Sequence, residues 1–486
     1  MQPCAFRYFD LYGRQDKMNR KKGMTKPPDD LTEGALLGKI IKFSLPLMAS
    51  GLLQTLYNAA DMIVVGRFSG SNSMGAVGAC GSLINLIIGL FLGITVGTGV
   101  LVAQYIGAKK DGEVDDAVHT SLITATVGGT VLAIIGFILA EPMLRLMGTP
   151  NEIIGEAIPY LKAYFVGVPA SMIYNFMSTA LRSEGNTKAA FFILGISGVS
   201  NVLFNLLFVI VLGMNALGVG IATAISMYIS AILILIYMFK ANIRCRLSLR
   251  KLRFNYRKFK SIIKIGIPSG IQSSLFSLSN VIIQSTINGY GEIMVAGNAA
   301  SSNIDSFVYV AMNAFHHAAL TFVGQNVGAG KHERVKKTIM LCTVTVTVVG
   351  FVLGCSAYLF GDTLLSIYEP HSEAVRQAGL MRMSVVSVTY FLCGIMEVAS
   401  GALKAFGYSM RSMIISLIGS CIFRLVWIPT VCPLPIFEGN ITVLFISYPI
   451  SWILTTVALF IAVYFAYKKH KNQLPALKRE ELKLQQ

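Results

Sequence analysis

Charged residues are scarce in this chain. Only 13% of its 486 residues are Asp, Glu, Lys or Arg, against about 25% in a soluble globular chain. Acids are the scarcer sign, 24 against 41 bases, for a formal net charge of +17. The eight cysteines are scattered and form no Cys-x-x-Cys pair. That removes the spacing of a zinc site or a redox dithiol and leaves them as small apolar residues in helices. No Gly-x-x-x-x-Gly-Lys-Ser/Thr loop occurs, so the chain carries no phosphate-loop ATPase of its own. His-Glu-x-x-His and Gly-x-Ser-x-Gly are also missing. With no convergent nucleophile and base, and no metal set, the chain does not read as an enzyme. The segment from Met1 to Lys39 is polar and basic without an apolar centre, which excludes a cleavable signal peptide there. Met24-Thr-Lys-Pro-Pro28 reads as a second start, with residues 1–23 as an upstream extension or an added leader.

What fills the chain instead is apolar sequence: mean hydropathy is +0.63. Ala189 to Leu212 contains no charged residue at all. A hydrocarbon core of about 30 Å needs about 20 apolar residues per helix, and only helices or closed barrels satisfy their backbone groups in lipid. Barrel strands would alternate over about 10 residues; these runs are continuous and longer. The expectation is an all-α polytopic membrane protein with twelve transmembrane helices. The spans fall near 40–66, 74–104, 116–140, 157–181, 188–212, 217–239, 261–288, 294–325, 335–359, 373–403, 411–430 and 441–466. Loop charge sets the orientation. Of the 41 Lys and Arg, three fall in outer loops (Arg67, Arg145, Arg376) and three within spans (Lys162, Arg382, Arg424), while all others lie in inner segments. Cytoplasmic loops collect Lys and Arg, so both termini are expected in the cytoplasm, with the chain in the cell's inner (plasma) membrane.

The chain also repeats itself. Lys42-Phe-Ser-Leu-Pro46 returns as Lys264-Ile-Gly-Ile-Pro268, and Gln104-Tyr-Ile-Gly-Ala108 as Gln325-Asn-Val-Gly-Ala329. Ala180-Leu-Arg182 with Gly185 returns as Ala402-Leu-Lys404 with Gly407. Two lobes of six helices, related by internal duplication, follow: residues 40–239 and 261–466. They are flanked by an N-terminal segment 1–39 and a tail 467–486, and joined by a basic linker 240–260. Six spans per repeat keep both in one orientation, a parallel repeat of the kind found in secondary transporters. The linker mixes bases with aromatics from Arg244 to Lys260. It reads as an amphipathic segment on an anionic lipid surface rather than as a nucleic-acid strip, and no nucleic-acid partner is expected. Membrane lipids are.

Charges inside apolar helices cost about 2.5–3.5 kcal/mol each on insertion scales and mark function by default. Asp61 stands in the first span; 222 positions on, the second lobe has Ile283, so the carboxylate belongs to one lobe only. Burial would raise its pKa and suit a proton carrier; with neighbouring oxygens it could hold sodium; as a structural group it would bond a neighbouring helix. Asn201 and Asn205 lie one turn apart on one face, with Thr223 on the next span; such groups also serve as ordinary helix–helix glue. Glu397 and Arg424, on consecutive spans, are opposite charges expected to pair, unless Glu397 faces the substrate. Asn175, Glu397, Asp305 and His316 are the candidates for lining a substrate cavity. Adjacent histidines such as His316-His317 point to opposite sides and make a poor metal site; no metal is expected.

Leu45-Pro46, Asn58-Ala-Ala-Asp61 and Val65-Gly66 together resemble the first helix of multidrug and toxic compound extrusion (MATE) exporters. Gln104 to Ala108, Ala180 to Lys188 and Thr321 to Ala329 resemble further motifs of that family, and the likeness runs from about Gly34 to Ala466. The resemblance implies two six-helix bundles that rock about a central cleft, exporting amphiphilic or drug-like organic cations as protons or sodium ions enter. It implies a single-chain transporter, a monomer, with no cofactor beyond the coupling ion, H+ or Na+. It carries the ion site onto Asp61, Asn201, Asn205 and Thr223, with Tyr57 one turn before the Asp. Asn205 departs from the family pattern, which often has Asp there; one carboxylate fewer weakens the case for sodium. A lipid-linked oligosaccharide flippase of the same superfamily is the alternative, but it would want a basic cluster in the first lobe, where only Lys162 stands.

Overall fold

The computed structural model describes residues 30–436 and 439–484. The second start at Met24 and the rest of the expected N-terminal segment up to residue 29 lie outside the described residues. All regular elements among the described residues are helical. They are α1 (Leu36–Phe68), α2 (Ser71–Gly107), α3 (Asp111–Leu146), α4 (Asn151–Ser183), α5 (Thr187–Asn205), α6 (Asn215–Lys240), α7 (Tyr256–Asn288), α8 (Glu292–Gly328), α9 (His332–Leu359), the short α10 (Gly361–Ser366), α11 (Glu373–Val385), α12 (Tyr390–Ala405), α13 (Ser409–Ser416), α14 (Phe423–Thr430) and α15 (Thr442–Leu484). A helix of 33 residues such as α1 is about 50 Å long at 1.5 Å per residue, more than enough to cross a hydrocarbon core of about 30 Å. Nine helical stretches among the described residues are long and apolar enough to cross a membrane, and the bent pair α11–α12 makes ten. The expected count of twelve needs α4 and α7 as well. Both are 33 residues long but fall short in hydropathy.

Three expected spans differ in detail. The span expected at 373–403 is broken: α11 and α12 meet at 48°. The break is pinned from inside, because Ser387 is fully buried and its Oγ donates to Asp305 Oδ1 at 2.6 Å. The spans expected at 188–212 and 411–430 each contain a wide, π-helical turn, Leu206–Val211 and Leu417–Ile422.

The chain divides into two compact units. Among the described residues, unit 1 holds Ala49–Lys264 with those before Gly34; unit 2 holds those from Ile265 onward together with Gly34–Met48, which includes the leading part of α1. That part is seated in unit 2 by an edge-to-face contact of Phe43 with Phe322, ring centroids 5.5 Å apart. In unit 1 the core is built where small residues let helices close up, as they do in membrane proteins. A Cβ on Gly136 of α3 would lie 2.2 Å from the Phe165 ring of α4. Duplication shows in the packing too. Gly129 meets the backbone of Pro169, and its counterpart Gly350 meets that of Phe391, at 2.8 and 2.9 Å from the would-be Cβ. The turns repeat as well: Gly185 and Gly407, 222 residues apart, both adopt left-handed backbone, φ 98° and 86°, which favours glycine. Exposed apolar residues such as Val131, Ile134 and Ile138 line the outer face of α3, as contact with lipid requires.

Candidate functional site

In unit 1 a chain of polar side chains runs between three helices. Asn205, at the last turn of α5, donates from Nδ2 to Asp61 Oδ1 on α1. The same amide donates to Asn201 Oδ1 one turn earlier, at 3.3 Å. Asn201 in turn reaches Thr223 Oγ1 on α6, at 3.4 Å. Asn205 is fully buried and Asn201 nearly so. The helical repeat stacks the two amides on one face, and the π-turn starting at Leu206 widens the helix just beyond them. Tyr57, one turn before Asp61 on α1, does not bond the carboxylate. Its OH donates to Gly195 O at 3.2 Å, and its ring lies against Gly198. Asp61, Asn201, Asn205 and Thr223 are thus joined by hydrogen bonds, and Tyr57 packs beside them on the same two helices.

Two features of this chain bear on its chemistry. Among the described residues no Lys, Arg or His lies in ion-pair range of Asp61. And Asn205 Oδ1, buried at the centre, makes no hydrogen bond among the described residues. A buried acceptor left without a donor costs about 1–3 kcal/mol, so this oxygen is poised to take a proton donor or a cation.

Asn175 stays outside this chain; its amide donates to Ser171 O and Ser171 Oγ on its own helix, at 2.8 and 3.3 Å. Lys162 lies over the Phe137 ring, 5.3 Å from the centroid.

Unit 2 holds the other intramembrane charges. Asp305 on α8 is buried, with one oxygen on Arg382 of α11 and the other on Ser387; Arg382 also reaches Ser301 Oγ at 3.2 Å. The expected pairing of Glu397 with Arg424 is not formed. Glu397 of α12 is taken by His316 of α8, whose Nδ1 lies 2.9 Å from both Glu397 Oε2 and the Glu397 carbonyl. Both are acceptors, so Nδ1 carries the hydrogen. Helices α8 and α12 approach closely enough for this because Gly401 has no Cβ, which would stand 2.8 Å from the His316 carbonyl. Arg424 of α14 instead packs over Tyr448 and Trp452 of α15. Among the described residues no group of three or more His, Cys, Asp or Glu is arranged to hold a metal.

Sequence reasoning missed the setting of the basic linker. It is strapped to the ends of unit 1 helices by acids: Lys251 on Asp115 at 2.6 Å, Arg253 on Asp116 at 2.6 Å, and Lys258 on Glu113. Lys258 also bonds Tyr105 OH at 2.6 Å. The turn after α4 holds its other end, where Glu184 accepts the backbone N–H of Arg244 at 2.7 Å and of Cys245 at 3.3 Å. The signal was present: Asp111, Glu113, Asp115 and Asp116 form an acidic cluster in an otherwise basic set of loops. Of these bases only Lys258 is buried; Lys251 and Arg253 meet their carboxylates at the surface, where Arg250 and Arg257 are exposed as well.

A family model, MatE, matches residues 46–207 and 268–430, well over half of the chain and one segment in each repeat. The chain is 29% identical over 384 residues to the probable multidrug resistance protein YoeA of Bacillus subtilis (strain 168), covering 77% of this chain and 82% of that protein. It is 26% identical over 395 residues to the probable multidrug resistance protein YpnP of the same organism, covering 81% and 88%. Among solved structures, the outward-facing conformation of a multidrug resistance MATE family transporter of the MOP superfamily matches with a TM-score of 0.81 at 22% identity, over 93% of this chain and 99% of that one. The duplicated helical fold, the polar groups held within its spans and the family match in both repeats agree: the chain belongs to the MATE family of multi-pass membrane transporters.

Proposed function

We propose that the chain exports amphiphilic or cationic small molecules across the cell's inner membrane, driven by protons that enter through Asp61. The observation that carries this reading is a carboxylate within a membrane-spanning helix, bonded to Asn205 and without a cationic partner among the described residues. A charge there is costly, and a proton removes it completely. Asn205 brings no second negative charge, so neutralisation needs one proton and no metal ion. In the arrangement described, both amide hydrogens of Asn205 point to acceptors, Asp61 and Asn201, which suits the ionised carboxylate. Once Asp61 is protonated its O–H becomes a donor, and half a turn of the Asn205 amide would offer it the unpartnered Oδ1. The network then has two hydrogen-bonded states, one per protonation state, which is what coupling to a conformational change requires.

The names of the relatives, probable multidrug resistance proteins, support small-molecule export. The charge pattern of the loops supports cytoplasmic termini. The oligosaccharide flippase reading has no comparable support: Lys162, the base it would use, rests on Phe137. Purified protein in proteoliposomes tests the proposal. Dye-cation export is expected under an imposed pH gradient, with a sodium gradient at fixed pH driving none. Export that follows sodium alone would overturn the choice of ion; export under neither gradient would overturn the function.

A further inference from the structure

Arg424 is a buried cation with no anion in ion-pair range among the described residues. Its residue is 5% exposed, inside a stretch long and apolar enough to cross a membrane. Its guanidinium lies over Tyr448 at 4.1 Å and over Trp452 at 5.6 Å from the ring centroids. Trp452 is braced in turn by Tyr390 and Tyr448, at 5.3 and 5.8 Å. Among the described residues the guanidinium makes one hydrogen bond, from Nε to Ser451 Oγ at 2.9 Å. Nη2 is buried and makes none. The groups in contact with it are Tyr448, Trp452 and Ser451, and none is a carboxylate. The acids of the neighbouring helices are engaged elsewhere, Asp305 by Arg382 and Glu397 by His316.

A guanidinium offers five N–H donors in a planar fork that matches a carboxylate or phosphate edge. Aromatic faces offset part of the desolvation of such a cation, but they leave the fork's hydrogens unused. Removing a charge from water without a partner is costly, and here Nη2 of an arginine stacked on two aromatic rings has no partner among the described residues.

We propose that Arg424 with Tyr448 and Trp452 is an oxyanion-binding site of unit 2, and that the substrates it takes are aromatic molecules carrying a carboxylate, zwitterions among them. This rests on the reading of the chain as an exporter and narrows its substrate class: the cationic part of such a molecule does not distinguish substrates, whereas the acid does.

A pair of dyes differing only at the acid tests it. Rhodamine 110 carries a free carboxylate, and rhodamine 123 is its methyl ester. Binding is measured on the full-length protein in nanodiscs by fluorescence anisotropy. Wild type is expected to hold the acid roughly tenfold or more tighter than the ester, the scale of one charge-assisted hydrogen bond. Arg424→Gln should abolish that preference while leaving ester binding within about twofold, and Arg424→Lys, which keeps the charge without the fork, should fall between. Equal or tighter binding of the ester by wild type overturns the site, and that comparison stands even where the variants fail to fold. Loss of both dyes alike in Arg424→Gln also overturns it. Gradient-driven export of the ester with no preference for the acid removes the anion site and leaves the export reading intact. Export of neither dye in any gradient removes the export reading, while the binding preference still decides the site.

Discussion

The ring of Tyr57 occupies the space that Gly198 leaves empty. A Cβ on Gly198 would stand 1.8 Å from Tyr57 Cε2, and no relaxation of a few tenths of an ångström accommodates that. Gly198→Ala must therefore expel the ring, at the cost of about 1–3 kcal/mol typical of overpacking, and α1 and α5 must part next to Asp61. Thermal unfolding in detergent should show a lowered midpoint for Gly198→Ala and recovery of most of it in Gly198→Ala/Tyr57→Ala. Simple additivity of the two single changes would show that the ring does not depend on this gap.

Asp61→Asn should fold normally and export nothing under a pH gradient, since the amide keeps the shape and cannot take up a proton. Asn205→Asp should move the site toward sodium, because two carboxylates sharing one place hold a cation that one does not. Flux in proteoliposomes with separate pH and sodium gradients reads both. Undiminished pH-driven export by Asp61→Asn would exclude the residue from coupling.

Asp305 and Arg382 form a buried ion pair completed by Ser301 and Ser387. Removing one partner of such a pair typically costs about 3–5 kcal/mol. Asp305→Asn should lower the unfolding midpoint and the yield of folded protein, while Asp305→Leu/Arg382→Met should restore much of the loss. A double variant no better than Asp305→Asn would mean that the pair is also needed to set the α11–α12 break.

Burial raises the Glu184 carboxyl above its ordinary value, against the lowering effect of the Arg244 and Cys245 N–H groups. A carboxyl raised in the folded state binds its proton more tightly there than in the unfolded chain. Its contribution is fully present below the unfolded value near 4.3 and is lost as pH rises through the folded one. Amide exchange at Arg244 and Cys245, corrected for intrinsic rate, should slow as pH is lowered from neutrality. Glu184→Gln should remove that dependence; an unchanged pH profile in the variant would assign it elsewhere.

The helices were legible in the sequence because apolar runs and loop charge report burial in lipid directly, and the duplication because motifs such as Ala180-Leu-Arg182 and Ala402-Leu-Lys404 survive in both halves. The break at Val386–Thr389 was not, since Ser-Val-Thr carries neither Pro nor Gly and its cause lies on another helix, in Asp305. The wide turn at Leu206–Val211 was hidden inside an unbroken apolar run, and the one at Leu417–Ile422 was marked only by Gly419 and Ser420. Asp61 and Asn205 are 144 residues apart, and the family resemblance joined them where composition alone left both functional and structural readings open. Glu397 and Arg424 were misjudged because opposite charge on consecutive helices was weighed without the competitors: a histidine for the acid, and aromatic rings for the base.

Ribosomes deliver this chain from its N-terminus, and the division of α1 has a consequence for that order. The opening of α1, within Gly34–Met48, belongs with unit 2, whose other residues start only at Ile265. At roughly 5–20 residues per second, roughly 10–45 seconds pass before its packing partners are made. The linker, by contrast, is bonded back onto helices already synthesised. The first repeat can thus finish its own tethering while the opening of α1 still waits in the bilayer for partners that are made later.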